Sequence, residues 1–206
     1  ATGAGKSSIL NLLGRNYDIQ KGRITIDGTD IRELDIPSLR RAVGQVQQDV
    51  YLFTGDIQSN IRLRESAISD EAIREAAKFV NADGFISQLE QGYETAVTER
   101  GSTLSAGQRQ LLSFARTLAF DPAILVMDEA TANIDTETEM LIQDAMERLM
   151  AGRTTIVVAH RLSTIQHADK IMVMHKGRLR EEGTHQELLQ QNGIYKKLYD
   201  LQLKHQ

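Results

Sequence analysis

The sequence has no cysteine and only two prolines in 206 residues. The first absence excludes disulfides, thiolate zinc sites and cysteine nucleophiles, and is compatible with a reducing compartment. The second, with no low-complexity run and no internal repeat, argues against a disordered chain. No stretch approaches the ~20 apolar residues that span a bilayer, and no signal peptide is evident. An initiating methionine is also lacking, so the chain reads as a fragment. Positive charge is not in excess. The net charge of −4 disfavours a general polyanion-binding surface, and no nucleic-acid partner is expected. What is there is ordinary globular material, 41% apolar and 25% charged, of a length that suits one sizeable domain or two small lobes.

The chain opens on ATGAGKSS. The phosphate-loop pattern is G-x-x-x-x-G-K-[ST], and Gly5, Lys6 and Ser7 supply its second half. Gly3 and Gly5 allow backbone turns that a Cβ would forbid. Consecutive N–H groups can then face an anion, and the helix that follows adds its positive end. Lys6 would reach the β- and γ-phosphates, and Ser7 would hold Mg²⁺ through its hydroxyl. The alternative is a glycine-rich turn before an ordinary helix.

Beyond the loop, SSILNLLGR reads as a short amphipathic helix with Ile9, Leu10, Leu12 and Leu13 apolar. KGRITIDG alternates as a strand ending at Gly28, IPSLRRAV is a short helix with Pro37 in its first turn, and VGQVQQD is a strand running into a loop. Helix signals dominate residues 56–120. SDEAIREAAKFV puts Ala72, Ile73, Ala76, Ala77 and Val80 on one face, capped by Ser69 or Asp70. AILVM and TTIVVAH read as buried strands. TETEMLIQDAMERLM is a helix opened by a capping box of Thr136 and Glu139, and Thr184 with Glu187 forms another before QELLQQ. KIMVMHKGRLREEG reads as two strands joined near Gly177. Alternating strands and helices of this kind predict an α/β fold with a mainly parallel sheet. The helical stretch reads as an inserted lobe.

Three further features carry chemistry. The strand at 124–128 ends in Asp128, followed by Glu129, and a strand's carboxyl end faces the crevice where α/β proteins bind ligands. Asp128 can organise Mg²⁺ and Glu129 can accept a proton from an attacking water; alternatively the pair caps the next helix. LSAGQ places Ser105, Gly107 and Gln108 at a helix start, predicted over residues 108–118. There a hydroxyl, a close backbone approach and the helix N-terminus suit a second phosphate contact. One nucleotide rarely needs two such grips from one chain, whereas two facing copies would use both. Ser105 as a plain N-cap is the alternative. His160 follows TTIVVA and could touch a γ-phosphate, or be structural. Gln48 ends VGQVQ, where a neutral amide could help place Mg²⁺ or water, or be a solvated loop residue.

Taken in order, ATGAGKSS, Gln48, LSAGQRQ, ILVMDEAT, ANID and VVAHRLSTI resemble the nucleotide-binding domain of ABC transporters over almost the whole chain. GYETAVTERGSTLSAGQ and KGRLREEGTHQELL are similar to the ATP-binding half of multidrug and lipid exporters. The resemblance implies a P-loop NTPase core at 1–50 and 121–206, a helical lobe with the signature at 51–120, and ATP with Mg²⁺ as ligands. It assigns Thr2, Gly3, Ala4, Gly5, Lys6, Ser7 and Ser8 to Walker A, and Gln48 to the Q-loop. Ser105, Gly107 and Gln108 fall in the signature, Asp128 in Walker B, and Asp135 in the D-loop. Glu129 matches the catalytic carboxylate and His160 the switch histidine, with Lys6 beside them. Ser7, Gln48 and Asp128 are the implied metal residues. The implied partners are a second nucleotide-binding domain, identical or different, and a membrane domain docked near Gln48, Glu99 and Arg100. The implied location is the cytoplasmic face of a membrane. Ala106 departs from the usual LSGGQ, and its methyl fits if φ there is negative. Upstream, the resemblance implies a strand feeding the phosphate loop and an aromatic residue stacking on adenine. A soluble ABC ATPase acting on DNA or ribosomes would carry a coiled-coil insertion or basic surface, and neither is present. A P-loop kinase would have no use for LSAGQ. An inactive binding piece is the remaining rival.

Overall fold

The computed structural model describes residues 4–47, 49–128, 134–159 and 162–203, apart from the side chains of residues 99, 162 and 163. In chain order the elements are α1 (Lys6–Leu13), β1 (Thr25–Ile26), β2 (Thr29–Asp30), α2 (Ile36–Ala42), β3 (Val43–Val46), β4 (Gly55–Asp56), α3 (Ile57–Arg62), α4 (Asp70–Phe79), α5 (Asp83–Ile86), β5 (Ala96–Val97), α6 (Ala106–Ala119), β6 (Ile124–Asp128), α7 (Thr136–Met150), β7 (Thr154–Val158), α8 (Leu162–Gln166), β8 (Ile171–His175), β9 (Arg178–Gly183), α9 (His185–Gln190) and α10 (Ile194–Leu203). Two contact units divide them, Thr25–Ile156 and a pairing of Ala1–Ile24 with Val157–Gln206. No helix among the described residues is long and apolar enough to cross a membrane.

In the unit Thr25–Ile156, β3 and β6 pair in parallel, from Val43 with Ile124 to Val46 with Met127. Leu125, Val126 and Met127 are buried, which explains the unbroken apolar run of β6. The sheet order is β3–β6–β7. β7 is less buried than TTIVVAH suggests. It alternates, with Ile156 at 37% exposure, as a strand at the end of the described order does. The strand expected over KGRITIDG also shrinks. Asp27 and Gly28 both take positive φ, 48° and 84°, and β1 turns back onto β2 there. Asp-Gly suits a two-residue turn with both central residues left-handed, so Gly28 belongs to the turn and not to the strand.

Helices fill the rest of this unit. In α4, Ser69 accepts the Ala72 N–H, and Asp70, Glu71 and Lys78 suit the helix dipole. Ile73, Ala76 and Ala77, with Val80 just past its end, are buried as the predicted face requires, whereas Ala72, also placed on that face, is exposed; α4 and α3 both pack on α6. Each large aliphatic side chain so buried contributes ~1.5–3 kcal/mol. In α2, Pro37 lies in the first turn and Asp35 accepts the Ser38 N–H at 2.9 Å.

The other unit is built on the antiparallel β8–β9 hairpin, which turns at Lys176 and Gly177 as expected. Val173, Leu188 and Tyr195 form its core, with Ile165, Ile171, Leu189 and Ile194 packed around them. The box predicted at Thr184 and Glu187 is present at the start of α9.

Candidate functional site

The first candidate region is the turn into α1. Gly5 is its N-cap, with φ 92° and ψ 8°, a left-handed conformation in which any side chain would be strained. Space is not the constraint, because the nearest atom to a built Cβ is the Gly177 Cα at 3.7 Å. The left-handed residue reverses the peptide direction, so the carbonyl on its N-terminal side must find a donor elsewhere. Ala4 is 4% exposed, and its carbonyl accepts the Gly177 N–H at 3.2 Å. Lys6, Ser7 and Ser8 form the first turn of α1, Lys6 half-buried and the two serines exposed. The first turn carries no acidic residue, so nothing there opposes an anion. Thr2 and Gly3 lie outside the described residues.

The second region joins the starts of α6 and α7. Ser105 caps α6 through a reciprocal box. Its hydroxyl oxygen accepts the Gln108 N–H at 3.1 Å, and the Gln108 Oε1 accepts the Ser105 N–H at 2.9 Å. Accepting that bond leaves the hydroxyl its own proton to donate. The plain-cap reading and the phosphate reading of Ser105 are therefore chemically compatible. Helix α6 starts two residues earlier than predicted, at Ala106. Ala106 is exposed, and its φ is not among the positive values, so its methyl is accommodated as the sequence required.

Gly107 has a role that sequence reasoning missed. A Cβ there would overlap the Thr138 Cγ2 and stand 3.4 Å from the Ile134 Cγ2. The signature helix and α7 thus meet at Gly107. The sequence offered only the glycine as a signal, since its neighbour lies in another helix. Asp135 sits beside this contact as the N-cap of α7, accepting the Thr138 N–H at 2.9 Å. The capping residue is Asp135 and not Thr136, a correction of one position. Two capping residues stand side by side, and Asp135 is the one with extended backbone, ψ 155°. The Thr138 backbone N–H, with further Thr138 and helix-start contacts, holds the Asp135 carboxyl below the usual aspartate range.

The third region is the carboxyl end of the parallel pair. Asp128 is the last residue of β6, one residue beyond Met127, which pairs with Val46 at the end of β3. Carboxyl ends of parallel strands are where α/β folds place ligands. Gln48, Glu129 and His160 lie outside the described residues. Glu99 opens a short 3₁₀ turn, Glu99–Gly101, in which Arg100 takes φ 62° and donates its N–H to the Leu52 carbonyl at 3.1 Å.

The structure thus groups Ala4 to Ser8 in one place, and Ser105, Gly107 and Gln108 with Asp135 in another. Taken separately, Ser7 in one unit offers a hydroxyl oxygen and Asp128 in the other a carboxylate oxygen, each a hard donor of the kind Mg²⁺ takes. A lysine and a helix start behind a left-handed glycine suit phosphate.

A left-handed glycine opening a Lys-Ser-Ser helix, and a parallel strand ending on aspartate, belong to the α/β fold of P-loop NTPases. The profile of the ABC transporter family matches residues 1–132, and the chain belongs to that family. It is 54% identical over 201 residues to exp8, an ABC transporter ATP-binding protein of Streptococcus pneumoniae, covering 98% of this chain and 34% of that protein. To the ATP-dependent lipid A-core flippase of Syntrophus aciditrophicus it is 49% identical over 203 residues, 98% of this chain and 34% of the flippase. Among solved structures, a bacterial Atm1-family ABC exporter with ATP bound matches with a TM-score of 0.90 and 46% identity, over 98% of this chain and 35% of that one. The chain spans about a third of the length of these relatives.

Proposed function

We propose that this chain is the ATP-binding and ATP-hydrolysing module of an ABC exporter. The observation that carries the reading is the left-handed Gly5 turn into Lys6, Ser7 and Ser8, in a chain that also ends β6 on Asp128 and caps α6 with Ser105. Family membership, the 49% identity to a lipid A-core flippase and the 46% identity to a solved ABC exporter support it. Residues 51–120 are the signature-bearing lobe of this reading, and the two flanks are its core.

The roles follow from chemistry at each position. Backbone N–H groups at the start of α1 bind phosphate oxygens, and Lys6 places a cation beside them. Ser7, Asp128 and Gln48 would hold Mg²⁺, which when bound neutralises charge developing on the transferred phosphoryl group. Glu129 takes the proton of the attacking water, and His160 contacts the terminal phosphate. Ser105 donates its hydroxyl proton to a nucleotide held by a second copy or a related domain. Asp135 ties the start of α7 beside that contact. The membrane domain docks near Gln48 and Glu99, so closing and reopening of the paired modules moves it. On this reading the module works on the cytoplasmic face of a membrane.

The test uses the full-length protein. Glu129→Gln lowers ATP turnover by about 10²–10⁴-fold while ATP still binds. Lys6→Ala weakens ATP binding in calorimetry. Near-normal turnover in the first variant removes Glu129 as the base, and unchanged affinity in the second removes Lys6 from the site.

A further inference from the structure

Arginine side chains withdrawn from solvent are ordinarily paired with carboxylates. Arg116, near the end of α6, is half-buried and is held instead by backbone and amide oxygens. Its Nε donates to the Asn60 carbonyl at 2.8 Å, one Nη to the Tyr51 carbonyl at 3.2 Å, and the other to the Asn60 Oδ1 at 3.4 Å. No carboxylate pairs with it among the described residues, and burial alone pulls its pKa below the ordinary arginine value. Asn60 is itself 2% exposed. Its Oδ1 accepts the Phe53 N–H at 2.8 Å, and its Nδ2 donates to the carbonyls of Phe53 at 2.8 Å and Asp56 at 3.0 Å. From another side the Arg100 N–H holds the Leu52 carbonyl, and the Leu52 side chain is fully buried.

The backbone of residues 51–53 is therefore bonded inward at four points. Their rings face the other way. Tyr51 and Phe53 are 45% and 54% exposed and pack edge to face at 5.1 Å. A loop with its backbone tied down and two aromatic rings outward is a preformed contact platform. The same α6 that tethers it through Arg116 carries Ser105 at its opposite end, about 16 Å away along the helix axis at ~1.5 Å per residue.

We infer that Arg116 is a positioning residue that makes this aromatic platform and the signature helix move as one body. A push on Tyr51 and Phe53 by the membrane domain is then delivered to Ser105. An arginine suits the task because its planar fork spans several oxygen acceptors, which a lysine ammonium cannot do. The inference rests on the ATPase reading above.

The experiment uses the full-length transporter in lipid nanodiscs and a double-mutant cycle. R116M is expected to lower the kcat of ATP hydrolysis about tenfold and leave the ATP Kd within about twofold, because the phosphate loop is untouched. Amide exchange at residues 51–53 is expected to quicken about tenfold, with the rest of the chain unchanged. In a Y51A/F53A background, R116M should cost less than about twofold more, since the platform it serves is gone. R116K should fall between wild type and R116M. If R116M does not fold, the same cycle with R116K decides. Unchanged kcat, or losses that multiply in the combined variant, overturn the inference. A wild-type protein that does not hydrolyse ATP overturns the functional reading instead, so the two failures are separable.

Discussion

A methyl group added at Gly107 has no room, because the Thr138 Cγ2 already occupies the place of its Cβ. Gly107→Ala must therefore push α6 from α7 or force Thr138 off its rotamer. Overpacking of this kind costs about 1–3 kcal/mol. Urea unfolding of the full-length protein should show that loss. Adding Thr138→Ser, which removes the obstructing methyl, should restore most of it. No recovery in the double variant would mean that the glycine is needed for something other than this contact. The neighbouring position behaves oppositely. Ala106 is exposed at the first helical residue, where a methyl costs nothing. That tolerance was legible in the sequence, because it depends only on local helix geometry. The crowding at Gly107 was not, because the atom that causes it lies on a helix 31 residues further along (138 minus 107).

Helix starts show the same boundary between local and distant information. The box at Thr184 and Glu187 was readable because both partners lie within one turn. At α7 two adjacent residues could cap, and backbone conformation selected Asp135. The hairpin at Asp27 and Gly28 was within local reach too, since Asp-Gly is a two-residue turn signal, and the strand expected to end at Gly28 stops at Ile26. Capping by Asp135 has a pH signature. Its folded-state pKa is depressed, with hydrogen bonding by the Thr138 N–H as the leading cause. Above the ordinary aspartate value of ~3.9 the carboxylate is charged in both states, and its preference for the folded helix start is fully expressed. As pH falls through the depressed folded value, the proton removes it. Asp135→Asn keeps a capping side chain but removes the charge. Urea midpoints should then show the variant less stable than wild type at neutral pH, with the difference closing below about pH 4. A gap that persists unchanged at pH 3 would mean that the charge is not what the helix start uses.

The local settings of Lys6, Ser105 and Asp128, at two helix starts and a strand end, were legible one by one from their neighbours in sequence. Their assembly was not, because they are separated by about a hundred residues and, on the proposed reading, a complete site needs two copies. Each nucleotide would then meet Lys6 of one copy and the partner's Ser105. Two-fold pairing makes this testable with mixed assemblies of full-length chains. Lys6→Ala and Ser105→Glu should each silence the homodimer. A purified dimer of one Lys6→Ala copy and one Ser105→Glu copy should regain about half of the activity, since both lesions fall in one site and the other is intact. The converse control places both substitutions in one copy and pairs it with wild type. Each of its sites then carries one lesion, and ATP turnover should stay near the level of the silenced parents. If instead that control retains half the activity and the first mixture none, each copy completes its own site, and Ser105 serves only as the cap of α6.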